Sequence, residues 1–216
     1  MRLIILGPAG AGKGTLAEKI KKYWQISYIA TGNMFRAEIQ QASKLGLLAK
    51  EYIDAGKLVP DDVTIAMVME RLQAPDCSNG FLLDGFPRTL VQAEALRAAL
   101  SQSGLDIEMV LNLVIDFESL SKRIVGRRIC PNCDGIYNVY TNPPLVDEVC
   151  DKCGAKLVQR SDDTEEQLRV RMAEHQSSTS AVLAYYRSLG KVVDLDASLT
   201  PTEILEEVLK IFGRSL

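Results

Sequence analysis

Leu3-Ile4-Ile5-Leu6-Gly7-Pro8-Ala9-Gly10-Ala11-Gly12-Lys13-Gly14-Thr15, near the start of the chain, is the stretch that decides the fold. Four apolar residues in a row read as a buried parallel strand. The small residues after them end at Lys13, and Leu16-Ala17-Glu18-Lys19-Ile20 opens a helical pattern. Strand, glycine loop and helix with a lysine at the join form the context of a phosphate-binding loop. Glycines let successive N–H groups point at one anion, and the helix N-terminus adds about half a positive charge. Lys13 brings a full charge to the outer phosphates, and Thr15 offers a hydroxyl to a magnesium ion or a phosphate. The alternative is a glycine-rich turn without a ligand; the agreement of the loop with both flanks weighs against it. In the usual motif a hydroxyl residue directly follows the lysine, whereas here Gly14 separates Lys13 from Thr15.

A chain of 216 residues, 47% of them hydrophobic, is long enough for one main core with one or two inserts. The formal net charge of −3 argues against a protein built to bind nucleic acid, which is usually basic overall. It leaves room for local arginines that hold phosphates. No apolar run reaches the length of a membrane span. Met1-Arg2 leads straight into the first strand, which predicts no secretory leader and a cytoplasmic protein. In that reducing compartment Cys130-Pro131-Asn132-Cys133 and Cys150-Asp151-Lys152-Cys153 read as four thiolate ligands, not disulfides. Zinc is the expected metal, with iron the other that such a site holds. The fifth cysteine, Cys77, reads as a small buried hydrophobe.

Outward from the loop, strands alternate with helices. Residues 27–30 form a short strand, and Thr31 is expected to cap the helix beginning at Gly32. Ser43 caps a second helix that runs to about Ala55, with Gly56 ending it. Pro60-Asp61-Asp62 opens another, with acids at its positive end. Residues 81–83 form a third strand that ends in Asp84-Gly85-Phe86-Pro87-Arg88-Thr89. An acid at the C-terminal end of such a strand, beside a phosphate loop, is placed to orient magnesium or its waters. Thr89 starts a helix on which Gln92 lies one turn beyond Arg88. Its amide either reads a base edge or is an ordinary surface group. Residues 109–115 form a fourth strand, and the next helix is expected to carry both Arg123 and Arg127 on one face. After the cysteine module, Asp162-Asp163-Thr164-Glu165-Glu166 starts a long helix with an expected break near Ser177-Ser178. A fifth strand over 191–195 and a last helix opened by Thr200-Pro201 complete the chain. The pattern predicts an α/β fold with a doubly wound five-stranded parallel sheet.

The loop, Asp84 and the spread arginines suit phosphoryl transfer, in which positioning and electrostatics dominate. His175, the one histidine, is expected to be exposed and outside the chemistry. A phosphate acceptor is already an anionic nucleophile and needs no general base.

The chain resembles the adenylate kinase family over essentially its whole length. The likeness rests on Gly7 through Thr15, Thr31-Gly32-Asn33-Met34-Phe35-Arg36, Asp54-Ala55-Gly56-Lys57-Leu58-Val59, Leu83-Asp84-Gly85-Phe86-Pro87-Arg88-Thr89 with Gln92, Arg123-Ile124-Val125-Gly126-Arg127-Arg128, and the segment from Arg160 to Arg171. The resemblance implies ATP + AMP ⇌ 2 ADP with magnesium. It implies a core of residues 1–29, 60–126 and 162–216, an AMP-binding helical insert at 30–59, and a small zinc-binding β lid at 127–161. Gly10, Ala11, Gly12, Lys13, Gly14 and Thr15 would hold the ATP phosphates. Arg123, Arg127, Ile136, Tyr137 and Leu199 would also meet ATP. Thr31, Arg36, Lys57, Leu58, Val59, Gly85, Phe86, Pro87, Arg88 and Gln92 would form the AMP site, with Arg88 on the phosphate and Gln92 on adenine. Lys13, Arg88, Arg123, Arg160 and Arg171 would stabilise the transferring group, with Arg160 and Arg171 also touching AMP. Asp84 would act on magnesium through water, and Cys130, Cys133, Cys150 and Cys153 would hold a structural zinc. The family commonly has aspartate where Asn33 stands, so the water shell of magnesium would be ordered differently here. A monomer is the family expectation.

Two rival readings stand beside this one. A kinase of the same fold could act on UMP or CMP, since base selectivity rests on few contacts. A nucleotide-dependent nucleic-acid binder could use the cysteine module as a zinc ribbon. Between Cys130 and Gln159, however, only Lys152 and Lys156 are basic, against Asp134, Asp147, Glu148 and Asp151. The partners expected are therefore ATP, AMP and ADP, with no nucleic acid and no membrane.

Overall fold

The computed structural model describes residues 1–55, 57–159 and 163–215; the side chains of Arg171 and Glu174 lie outside that description. Strands β1 (Arg2–Leu6), β2 (Ser27–Ala30), β3 (Phe81–Asp84) and β4 (Met109–Val114) alternate with helices. Helix α1 (Lys13–Trp24) follows β1, and α2 (Thr31–Gln40), α3 (Lys44–Asp54) and α4 (Asp61–Leu72) follow β2. Next come α5 (Leu90–Ser101) after β3 and α6 (Phe117–Val125) after β4. Two short strands, β5 (Arg127–Ile129) and β6 (Ile136–Asn138), precede α7 (Glu165–Ser188), β7 (Val192–Asp196) and α8 (Pro201–Ile211).

The main sheet has five parallel strands, as the sequence predicts, and their order is β2-β3-β1-β4-β7. Its centre is β1, whose Leu3, Ile4 and Ile5 are fully buried. Alternate residues feed opposite faces. Leu3 and Ile5 join Leu16, Ile20, Leu111 and Leu205 on one side, and Ile4 joins Leu83, Val110, Val182 and Tyr186 on the other. Each such aliphatic side chain contributes roughly 1.5–3 kcal/mol on burial. Helices therefore cover both faces, and the chain turns back on itself at β1, between β3 and β4. In such sheets the crevice beyond the carboxyl ends at this switch point is where ligands bind. Register places Asp84 level with Ile5 on one side and Ala30 on the other, so three strands end together there.

Several local expectations change. Thr31 is the first residue of α2 and not its cap, because its hydroxyl is engaged by the neighbouring strand end, donating to the Gly85 carbonyl at 3.0 Å. Arg127 is not on the helix with Arg123: α6 stops at Val125, and Arg127 opens β5, which pairs antiparallel with β6. Helix α7 runs through Ser177 and Ser178 without a break. Its Leu168 packs in one core and its Val182 and Tyr186 in the other, and that packing outweighs the weak helix preference of two serines. Ser43 caps α3 as expected, accepting the Gly46 N–H at 2.9 Å. Gly56, expected to end that helix, and Asp162, expected at the start of α7, lie outside the described residues. Thr164 caps α7, accepting the Gln167 N–H at 3.2 Å. Thr200 and Glu203 close a reciprocal capping box on α8.

Candidate active site

Most helices here begin under a side-chain cap: Ser43, Thr89, Asp116, Thr164 and Thr200 each accept a first-turn N–H. Helices α1 and α2 do not, and neither has an acid in its first turn. They start at the carboxyl ends of β1 and β2, the strands on either side of β3. Their first N–H groups are left to an anion. The loop before α1 turns through Gly10, at φ 86°, where a Cβ would lie 2.7 Å from Ile124. No other residue fits that turn.

Lys13 folds over this loop, its ammonium donating to the carbonyls of Gly7 at 2.7 Å and Pro8 at 2.9 Å. Burial pushes the ammonium below its ordinary range, Asp84 opposes the shift, and Arg88 and Arg127 add to it. Asp84, Arg88 and Arg127 are thus each within electrostatic reach of Lys13, and cations gathered near one lysine suit a polyphosphate.

Asp84 ends β3 half-buried, and its Oδ2 accepts the Tyr28 hydroxyl at 2.8 Å. Gly85, at φ 77°, brings the backbone so close to Thr31 that a Cβ would meet its hydroxyl at 2.7 Å. Arg88 Nε donates to the Gly85 carbonyl at 3.1 Å, and the Arg88 backbone N–H donates to Gln92 Oε1 at 2.7 Å. Gln92 is buried, not a surface amide. Its Nε2 donates to Asp61 at 2.8 Å, and Asp61 in turn accepts the Thr89 hydroxyl at 2.8 Å. Phe86 and Pro87 are buried beside this turn.

On the insert, Arg36 is exposed and donates to Asn33 Oδ1. The Lys57 N–H caps the end of α3 on the Tyr52 carbonyl at 2.8 Å. Leu58 is half-buried, and Val59 closes a small core with Phe35 and Ala49. Thr15 is exposed at the first turn of α1, and Ala11 is buried under the loop.

Arg123 donates to the Ser198 carbonyl at 3.4 Å, which brings it beside Leu199. Leu199 packs against the main core. Arg127 Nε donates to Asp163 at 2.8 Å in a two-pronged pair. Ile136 is exposed, whereas the Tyr137 ring turns into the cysteine cluster. Arg160 and the Arg171 side chain, both expected at the site, lie outside the described residues.

The four cysteine sulfurs lie within 4.8 Å of one another. Sγ separations are 3.4 Å for Cys130–Cys153, 3.5 Å for Cys133–Cys150 and 3.6 Å for Cys133–Cys153. A disulfide needs about 2.0 Å. A tetrahedral zinc with bonds of about 2.3 Å sets sulfur edges of about 3.8 Å, so the residues fit that ion. The Tyr137 hydroxyl, 3.4 Å from Cys150, holds that thiol down to about 6. For magnesium, the donors in place are hard oxygens, the Asp84 carboxylate and the Thr15 hydroxyl, and they also fit.

Four residues escaped sequence reasoning. His175 is half-buried, not exposed, with Nδ1 2.9 Å from the Thr179 hydroxyl. Burial lowers it to about 4, and the charges of Lys13 and Arg88 push the same way, so it borders the site. In the sequence Asp61 reads only as an acid at a helix start, and Asp163 only as part of another. Tyr28 had no role. Its link to Asp84 follows from register: it stands opposite Leu82, and Asp84 lies diagonally two residues on, within reach of a long side chain.

The adenylate kinase family model matches residues 5–191. Adenylate kinase of Thermoanaerobacter sp. strain X514 is 48% identical over 213 residues, 99% of this chain and 98% of that protein. Adenylate kinase of Carboxydothermus hydrogenoformans is 48% identical over 208 residues, 96% of this chain and 97% of its own length. Adenylate kinase of Bacillus licheniformis is 46% identical over 213 residues, 99% and 98% of the two chains.

Proposed function

The chain belongs to the adenylate kinase family, and from that premise we propose that it transfers the terminal phosphoryl group of ATP to AMP, reversibly, giving two ADP. The observation that carries this reading is Lys13, at the uncapped start of α1, within electrostatic reach of Asp84, Arg88 and Arg127, with α2 also uncapped after β2.

The loop from Gly10 to Thr15 takes the ATP phosphates on its N–H groups. Lys13 leaves the carbonyls of Gly7 and Pro8 and moves onto the outer phosphates, where a full charge gains more than on neutral oxygens. Arg88 grips the AMP phosphate, held in register through its backbone by Gln92 and through Nε by Gly85. Gln92 reads adenine at the edge of its Asp61 contact, and Thr31, Arg36 and the 57–59 backbone wall the base. Arg123 and Arg127 approach ATP from the side of Leu199 and the small β module, and Arg160 and Arg171 span both phosphate chains. As negative charge spreads over the equatorial oxygens of the transferring group, fixed cations meet it without reorganisation. No side chain takes a proton, because the AMP phosphate attacks as an anion.

Magnesium, when bound with ATP, neutralises the phosphates, and Asp84 and Thr15 are the residues that would face it. Zinc, when held by Cys130, Cys133, Cys150 and Cys153, is coordinatively closed, so its part is structural. Residues 127–161 act as a lid and 30–59 as the AMP-binding insert; their closure excludes water from the transfer. Among the described residues no helix is long and apolar enough to cross a membrane. A cytoplasmic monomer that binds neither membranes nor nucleic acid completes the reading.

The test is product analysis with MgATP and each of AMP, CMP, UMP and GMP. ADP formation with AMP far ahead of the others is the expected result. Preference for CMP or UMP would overturn the base assignment while keeping the mechanism.

A further inference from the structure

Tyr28 and Asp84 form a contact that the proposed chemistry does not yet use. The Tyr28 hydroxyl donates to Asp84 Oδ2 at 2.8 Å. It also lies against the phosphate loop: a Cβ placed on Gly14 would sit 3.7 Å from that oxygen. An ordinary phenol is protonated at neutral pH, so the hydroxyl serves as an O–H donor there. The other Asp84 oxygen, Oδ1, accepts no hydrogen bond from the described residues. A carboxylate turns easily about its last torsion. Tethering one oxygen therefore fixes the direction of the other. Nearby, Asn33 carries no charge, and its Oδ1 already accepts the Arg36 guanidinium.

We propose that Tyr28 is a positioning residue, holding the Asp84 carboxylate so that Oδ1 faces the water shell of nucleotide-bound magnesium. This rests on the phosphoryl-transfer reading of the site. Lys13 already interacts electrostatically with Asp84. Without the tether the carboxylate is free to swing toward that ammonium and away from the metal's waters. With Asn33 neutral, Asp84 carries the metal-ordering load, and a fixed orientation matters more.

The test compares the wild type with Tyr28→Phe, Asp84→Asn and the double variant. Mn2+ is titrated into each protein with ADP, and binding is followed by electron paramagnetic resonance, independently of turnover. The magnesium concentration for half-maximal activity is read in parallel. Tyr28→Phe is expected to weaken Mn2+ binding about three- to tenfold, the size of one net hydrogen bond. Affinity for AMP without metal should not move. In the Asp84→Asn background the same substitution should add nothing, since the group it positions is gone. Unchanged Mn2+ binding in Tyr28→Phe, or an equal loss in both backgrounds, would overturn the proposal. A lower melting temperature with unchanged metal dependence would likewise assign Tyr28 to packing alone. Failure of the wild type to transfer phosphate would strike the phosphoryl-transfer reading instead, and is visible in the same series.

Discussion

Arg127 holds Asp163 with both prongs of its guanidinium, and the Asp163 side chain is completely buried. The pair ties the first strand of the cysteine module to the segment that leads into α7. It also restrains an arginine within electrostatic reach of Lys13. Removing one partner of a buried pair strands the other, at a cost of about 3–5 kcal/mol. Asp163→Ala should therefore lower unfolding stability by about 3 kcal/mol in urea titrations, and Asp163→Asn by less. A change below about 1 kcal/mol would show that the pair is solvated and dispensable.

Lys13→Ala and Arg88→Ala each remove a cation aimed at developing negative charge. Losing one such group costs on the order of a hundredfold or more in turnover. Neither residue belongs to the core clusters, so melting temperatures should shift by no more than a few degrees. Circular dichroism melts beside steady-state rates check both parts.

The chain's single histidine is a built-in probe of site electrostatics. Folding keeps His175 neutral down to about 4, because of burial and then Lys13 and Arg88. In an unfolded chain it protonates near ~6.5. Between these values the unfolded state binds more protons, so stability falls as pH drops from about 6.5 to about 4. Discounted for the ring's partial exposure, the loss is on the order of 1–2 kcal/mol. His175→Gln should flatten that slope. Nuclear magnetic resonance of the ring should show its titration midpoint rising when ADP brings phosphates to Lys13 and Arg88. A midpoint near ~6.5 in the free protein would contradict the burial described here.

Metal removal should act locally. Structural zinc contributes on the order of 10 kcal/mol to small thiolate modules. Among the described residues, the hydrophobic core beside the four cysteines is Tyr137 and Leu157, with Ala155 at its edge, too little to hold the module alone. A strong chelator should release about one zinc per chain, unfold residues 127–161 and depress turnover, while the main sheet keeps its own melting transition. Unchanged activity and melting after complete metal loss would refute the structural role.

The parts of this molecule legible in the sequence are those written in local code. Leu3 to Thr15 joins strand, loop and helix without a break, and Asp84 ends a strand that the apolar run marks. The paired cysteines announce themselves by spacing. What escaped is written across the chain. Tyr28 meets Asp84 only because β2 and β3 pair in one particular register. Gln92 looks like a surface amide until α4 brings Asp61 against it. The position of Arg127 depended on two residues of helix length: α6 ends at Val125, so the i to i+4 relation to Arg123 never forms. His175 sits seven residues after Leu168 and seven before Val182, on the one buried stripe of α7, but few apolar residues mark that stripe in the sequence, so its inward turn did not stand out.

The central claim is reversible transfer between two nucleotides, and phosphorus magnetic resonance tests it most directly. Started from ADP and magnesium alone, the protein should generate equal amounts of ATP and AMP and reach the same mixture as a start from ATP plus AMP. Stable ADP, or ATP hydrolysed to free phosphate without regard to AMP, would contradict the account.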